Sequence, residues 1–174
     1  KGMAVPSSTS FRTPLGDIPI DSECIQQIVG DASVGFLDEA HREEHSLEVH
    51  LPFLQQVLDD FTLVPIVVGD ASKEAVATVL EKLWGGDETL IVISSDLSHF
   101  EAYNTANSLD ANTTRKIMAL DATLKGDEAC GCRPVNGLLH YIKTHGLAIE
   151  TVNVKNSGDT AGDKRRVVGY GAWH

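Results

Sequence analysis

The residues from 44 to 50 form a strongly polar cluster, with the order Glu-His-Ser-Leu-Glu-Val-His. In a helix, His45 and Glu48 would lie three residues apart on one face, while His50 would point elsewhere unless a kink at Pro52 turned it inward. His41 and His45 would also share a face at a spacing of four residues, but without the full H-E-x-x-H pattern this is a weak signal for zinc. The segment could equally be the solvated acidic end of a helix, since further carboxylates lie just upstream.

A second candidate site follows the apolar run over residues 89–94, which predicts a buried strand. Asp96 stands three residues before His99. A carboxylate at this spacing can orient an imidazole and raise its basicity, so His99 is a candidate general base. Ligands of open α/β sheets bind beyond the carboxyl ends of the strands, which favours this reading over an Asp96 that merely caps a turn.

The third candidate site holds two cysteines, Cys130 and Cys132, directly before a helix predicted to open at Pro134. The positive end of the helix dipole and the neighbouring Arg133 would favour the thiolate, which binds metals. A redox dithiol is less favoured, because a one-residue spacer gives a strained ring. The preferred interpretation is one metal-binding thiolate, with two small buried residues in a tight turn as the alternative.

Apolar and helical patterns alternate along the chain without a linker or a repeat, which predicts a single α/β domain over residues 1–174. Strands are predicted near residues 3–7, 34–37, 63–69, 89–94, 149–154 and 166–173. Helices are predicted after Ser72, over residues 109–120 and from Pro134 to Gly146. The apolar stripe over residues 44–60 predicts a helix that either kinks at Pro52 or begins near it.

Composition excludes several classes of partner. The chain has 14 Lys and Arg against 25 Asp and Glu, a formal net charge of −11, so it lacks the basic surface that nucleic acids require. Its three cysteines are too few for a secreted disulfide framework, which favours a cytoplasmic location. The apolar runs fall far short of the ~18 residues that span a bilayer, so no membrane segment is predicted.

Taken in order, the three segments resemble the Memo family, which includes the microbial proteins called AmmeMemoRadiSam system protein B. The resemblance rests on EHSLEVHLPF over residues 44–53, SSDLSH over residues 94–99, and Cys130-Gly131 leading to Pro134. Residues 6–16 also look like the stretch that follows the family's second histidine motif. The match extends over essentially the whole chain.

This resemblance implies a fold similar to the class III extradiol dioxygenases, with a mixed central sheet flanked by helices. It also implies a metal-dependent redox protein in which iron or copper is held by two histidines and one cysteine, here Cys130. A soft thiolate beside imidazoles suits both metals. The family's two histidine motifs would precede Lys1, so the chain is expected to be truncated at its N-terminus and to hold an incomplete, weak metal site.

The resemblance also assigns the remaining polar residues. His99 falls where the related dioxygenases carry a catalytic base, and His45, Glu48 and His50 would line the same pocket. Cys132 stands where relatives often carry arginine, so it could compete with Cys130 as the metal ligand. The resemblance leaves the substrate open between a small molecule and a peptide. The alternative function is a non-catalytic module that uses the same pocket to bind a peptide or a protein.

Overall fold

A computed structural model describes residues 2–30, 33–160 and 162–174 and divides the chain into two compact units. The first unit comprises Lys1–Ala71 and Lys82–Leu90, and the second comprises Ser72–Glu81 and Ile91–His174. A unit of dense packing does not by itself mark a domain boundary. One domain over residues 1–174 therefore stays a prediction.

Among its described residues, the first unit contains five short strands in two sheets. They are β1 (Met3–Val5), β2 (Ser10–Thr13), β3 (Gly16–Pro19), β4 (Val34–Phe36) and β5 (Val67–Val68). The fully buried β1 lies at the centre of a mixed sheet, where it pairs in parallel with β4 and antiparallel with β5. Strands β2 and β3 form a separate antiparallel hairpin.

The described part of the first unit also has three helices, and two of them begin at residues that favour a helix start. They are α1 (Ser22–Ile28), α2 (Glu39–Arg42) and α3 (Leu51–Val57). Asp21 caps α1, because its Oδ1 accepts the N–H of Cys24 at 2.9 Å. Pro52 lies in the first turn of α3, where its missing N–H removes no helical hydrogen bond. The predicted helix therefore begins near Pro52, and residues 46–50 form turns.

The second unit packs helices against an antiparallel sheet of three strands, in the order β6 (His99–Glu101), β8 (Val167–Trp173) and β7 (Thr151–Asn156). Its long helices are α5 (Tyr103–Met118) and α6 (Cys132–His145), and most of α4 (Lys73–Leu83) also lies in this unit. The side chains of Ile117, Leu124 and Leu139 form a buried apolar cluster. Helix α6 ends at Gly146, whose φ of +65° is easy for glycine.

Three features of the fold differ from the sequence predictions, and the first is that the strand predicted near residues 63–69 is reduced to Val67–Val68. The strands that the structure describes form three separate sheets rather than one central sheet, although the mixed α/β class is confirmed. Residues 89–94 form no strand, and Leu90 and Val92 are 62% and 45% exposed. An apolar run indicates a buried strand only when partner strands flank it, and the strands that make up the three described sheets include no residue of this run. Among the described residues, no helix is long and apolar enough to span a bilayer.

Candidate metal centre

Asp96, His99 and Cys130 lie together in the second unit and form a group called the donor cluster below. One ligand atom from each residue can be chosen so that all three lie within 4.8 Å of one another. The Asp96 Oδ2 and His99 Nε2 atoms are 3.6 Å apart, which is an ion-pair distance and too long for a hydrogen bond. Asp96 and His99 are half-buried and Cys130 is exposed, so solvent and small molecules reach the cluster.

The backbone around His99 is held by β8 and α5. The N–H of Leu97 donates to the carbonyl of Gly169, and the N–H of Gly169 donates to the carbonyl of Ser98, both at 2.8 Å. The Ser98 N–H donates in turn to Oδ1 of the buried Asp110 at 3.0 Å. Gly169 is necessary here, because a Cβ at this position would collide with the Asp110 carboxylate.

Cys130 is tied to the segment before His99 by reciprocal hydrogen bonds. The N–H of Cys130 donates to the carbonyl of Asp96 at 3.2 Å, and the N–H of Asp96 donates to Cys130 Sγ at 3.1 Å. The N–H of Gly131 donates to Ser95 Oγ at 2.9 Å. These bonds place the sulfur beside the carboxylate and the imidazole, although 34 residues separate Cys130 from Asp96 in the chain.

The connection between α5 and α6, which carries the cysteine, is anchored at two further points. Lys116 and Glu128 form an ion pair, and Glu128 also accepts the N–H of Lys125 at 3.0 Å. The side-chain amide of Asn136 exchanges two hydrogen bonds of 2.9 Å with the backbone of Leu124. Both flanking helices therefore hold the loop, in addition to the hydrogen bonds within its own turns.

The structure separates the two cysteines that the sequence left as alternative ligands. Cys132 is the first residue of α6 and packs against the apolar cluster of Ile117, Leu124 and Leu139. It is not part of the donor cluster, whereas Cys130 is. The geometry thus favours Cys130 as the metal-binding thiolate.

The other predicted site residues, His45, Glu48 and His50, belong to the first unit. His45 Nδ1 and Glu48 Oε1 are 2.6 Å apart, so this pair meets as its spacing suggested. Both side chains are exposed, and such ion pairs contribute little to stability. His50 directly precedes α3 and is half-buried. That these three residues line the same pocket as His99 stays a prediction.

Asp110 is the residue of this site that the sequence analysis missed. A signal for it exists, because Ala106, Asp110, Thr113 and Ile117 follow a helical spacing and form the buried face of α5. Carboxylates are rarely buried without a partner, so an aspartate in such a stripe indicates a structural hydrogen bond. Here that bond holds Ser98, directly before His99.

The donor set is chemically suited to the expected metals. A thiolate, an imidazole and a carboxylate present one sulfur, one nitrogen and one oxygen ligand. Thiolates and imidazoles both bind copper and iron, and zinc accepts the same ligand types. The residues therefore fit the iron or copper that the family resemblance implies. Fold and cluster together define an α/β protein with a candidate transition-metal centre.

Comparison with known proteins identifies the family. A family model described as Memo-like protein matches residues 1–174. A MEMO1 family protein of Desulfurococcus amylolyticus is 34% identical over 176 residues, which cover 93% of this chain and 62% of the relative. A MEMO1 family protein of Methanosarcina barkeri is 35% identical over 181 residues, 95% of this chain and 68% of the relative. The chain belongs to the Memo family, as its three motifs predicted, and spans 62% of the Desulfurococcus protein's length.

Proposed function

We propose that this chain is part of a metal-dependent redox protein in which Cys130 binds iron or copper beside the acid-base pair of His99 and Asp96. The observation that carries the proposal is the approach of the Cys130 sulfur, the His99 imidazole and the Asp96 carboxylate to within 4.8 Å of one another. Family membership supports a fold similar to the class III extradiol dioxygenases. The net charge of −11 and the three free cysteines support a cytoplasmic protein that does not bind nucleic acids.

Each residue of the cluster has a separate role in this proposal. The metal, when bound, supplies one-electron chemistry that no side chain provides. Cys130 Sγ holds it, and the reciprocal bonds to Asp96 keep that sulfur in place. His99 Nε2 takes a proton from the substrate or returns one to it. The Asp96 carboxylate, 3.6 Å away, orients the imidazole.

Copper titration of the purified chain tests the proposal. We expect about one copper per chain with a Kd of roughly 1–100 μM, which is weak for a copper site because few strong donors are present. The Cys130→Ser variant should lose at least about tenfold in affinity, along with the sulfur-to-copper absorption band. The Cys132→Ser variant is the matched control, because its thiol packs against the apolar cluster, and it should bind as the native chain does.

Three results would contradict this proposal. The absence of metal binding would favour the non-catalytic module that binds a peptide or a protein. Equal affinities of Cys130→Ser and Cys132→Ser would remove Cys130 as the ligand. A strong preference for zinc, which has no redox chemistry, would remove the redox function while leaving the metal site.

A further variant separates the two roles available to His99. If His99 carries protons, His99→Gln should lower copper affinity much less than Cys130→Ser does. If both variants lose affinity equally, His99 is a ligand and the acid-base assignment is wrong. The comparison uses the same titration, so it needs no knowledge of the substrate.

A further inference from the structure

Phe100, the residue after His99, has an unusual backbone. Its φ is 60°, and among the non-glycine residues that the structure describes only Leu120 shares a positive φ. Phe100 lies at a bulge of β6, because His99 pairs with Val168 while Glu101 pairs with the preceding Val167. Phe100 is 61% exposed, so burial does not compensate for the strained conformation.

The Phe100 ring lies against the side chains of His99 and Arg166. The ring centroid lies 5.8 Å from that of His99 in an edge-on arrangement. The Cζ atom of Arg166 lies 4.9 Å from the same centroid, within the range of a cation–π contact. Successive side chains of a regular strand point to opposite faces, so an unbulged strand would direct Phe100 away from His99.

The start of β8 places Arg166 close to this bulge. Val168 is the pairing partner of His99, and Arg166 directly precedes β8. Because the Phe100 ring contacts both Arg166 and His99, the three side chains form a row that leads from the start of β8 to the donor cluster.

Arg166 differs from its basic neighbours in its partners. Arg165 forms an ion pair with Asp163 at 3.1 Å, and Lys164 lies over the Tyr103 ring at 4.4 Å. In the part of the chain that the structure describes, Arg166 contacts the Phe100 ring and pairs with no carboxylate. This is notable in a chain of net charge −11. A guanidinium offers several N–H donors in a planar fork that matches a carboxylate or a phosphate.

We propose that Phe100 and Arg166 form an oxyanion subsite beside the donor cluster. Arg166 binds a carboxylate or phosphate group of a small molecule, and the Phe100 ring holds the guanidinium in position next to His99. The reacting end of that molecule then lies at Cys130 and His99. Its role as the substrate rests on the proposed function, whereas anion binding itself requires no metal.

Titration of the metal-free chain with sodium acetate and with inorganic phosphate, at constant ionic strength, tests this subsite. Nitrogen-15 NMR should show saturable shifts of the amides of His99, Phe100 and Arg166. Arg166→Gln should weaken binding about tenfold, because it removes a charge-assisted hydrogen bond. Phe100→Leu, which keeps the charge and loses the ring face, should weaken binding about threefold. The tighter of the two anions identifies the group that the subsite recognises.

Arg165→Gln is the matched control, because it removes the same charge one residue away. We expect it to change the affinity less than about twofold, since its guanidinium already pairs with Asp163. Equal losses in Arg165→Gln and Arg166→Gln would mean non-specific attraction and would overturn the subsite. The absence of saturable shifts with either anion would also overturn it.

The anion and copper titrations are independent of each other. Anion binding without copper binding would support the subsite and contradict the proposed redox function. Copper binding without anion binding would support the proposed redox function and contradict the subsite. Circular dichroism of each variant verifies its fold, and both arginines are exposed, so their replacement should leave the fold intact.

Discussion

Replacement of Gly131 by alanine adds only one methyl group, yet it should disturb the donor cluster strongly. A Cβ at Gly131 would lie 2.5 Å from the carbonyl oxygen of Ser94 and 2.8 Å from the Cβ of Ser95. The φ of Gly131 is −87°, which any residue adopts, so space rather than conformation requires glycine. Alanine must therefore push apart the two segments whose reciprocal bonds join Cys130 to Asp96.

The size of this effect follows from the distances. Cβ contacts below 3.0 Å essentially do not occur, so the Ser94 carbonyl must move by about 0.5 Å or more. Overpacking of this kind costs about 1–3 kcal/mol, and each kcal/mol lowers the Tm of a protein of this size by about 2–4 °C. Metal–ligand distances tolerate only about 0.2 Å, so a displaced Cys130 should lose about tenfold or more in copper affinity.

The matched control is Gly126→Ala, in the same connection between α5 and α6. A Cβ at Gly126 would meet no atom within 4 Å, and this residue has no positive φ. Thermal unfolding and copper titration should be measured for both variants. We expect Gly126→Ala to stay within about 0.5 kcal/mol of the native chain and to keep its copper affinity.

Two results would contradict this prediction. If Gly131→Ala unfolds at the same temperature as Gly126→Ala, the close approach of the two segments is not a real constraint. If Gly131→Ala is destabilised but binds copper normally, the approach is real while Cys130 does not hold the metal. The second result would exclude Cys130 as the metal ligand of the proposed function without contradicting the close approach of the two segments.

Three further predictions concern hydrogen bonds and pH. Asp21→Ala should destabilise the chain by about 1 kcal/mol at pH 7 by uncapping α1, and denaturant unfolding measures this loss. The bond from the N–H of Cys24 lowers the pKa of Asp21 below 3.8, so this stabilisation should disappear as the pH falls below that value. A difference in free energy of unfolding between the native chain and Asp21→Ala that stays constant with pH would contradict the prediction. Asp110→Ala should lower the free energy of unfolding by about 1–3 kcal/mol, because it leaves the Ser98 N–H unpaired. Asp110→Asn, which keeps an acceptor oxygen, should lower it by less, and equal losses in the two variants would exclude the hydrogen bond as the cause. Burial lowers the pKa of His41 below 6.5, so below pH 6.5 the unfolded chain binds more protons than the folded chain and the free energy of unfolding should fall. His41→Gln should make the free energy of unfolding depend less on pH in this range, and an unchanged pH dependence would refute the prediction.

Local chemistry explains which elements could be predicted from the sequence. Ser72 accepts the N–H of Ala75 at the start of α4, and Gly146 ends α6 in the left-handed conformation. Pro52 marks the start of α3 because a proline is tolerated only in the first turn. Each signal depends on a few neighbouring residues, so the element ends follow from the order of amino acids.

Burial could not be predicted in the same way. The apolar run over residues 89–94 is similar in composition to a buried strand, yet Leu90 and Val92 are exposed. In contrast, Asp110 is 2% exposed although its type is usually found at the surface. Both outcomes depend on partners distant in the chain, which supply or fail to supply backbone pairing and side-chain hydrogen bonds.

Three motifs in their order were enough to identify the Memo family and to single out Asp96, His99 and the cysteine pair as candidate site residues. Motif identity and short spacing are properties of the chain itself, and they need no folded structure. Only the tertiary structure distinguished Cys130 from Cys132, because one thiol meets Asp96 while the other packs into the apolar cluster. It also revealed the row from Arg166 to His99, which depends on a β-bulge and on pairing between β6 and β8. Such arrangements arise from hydrogen bonds between distant segments, and no local pattern encodes them.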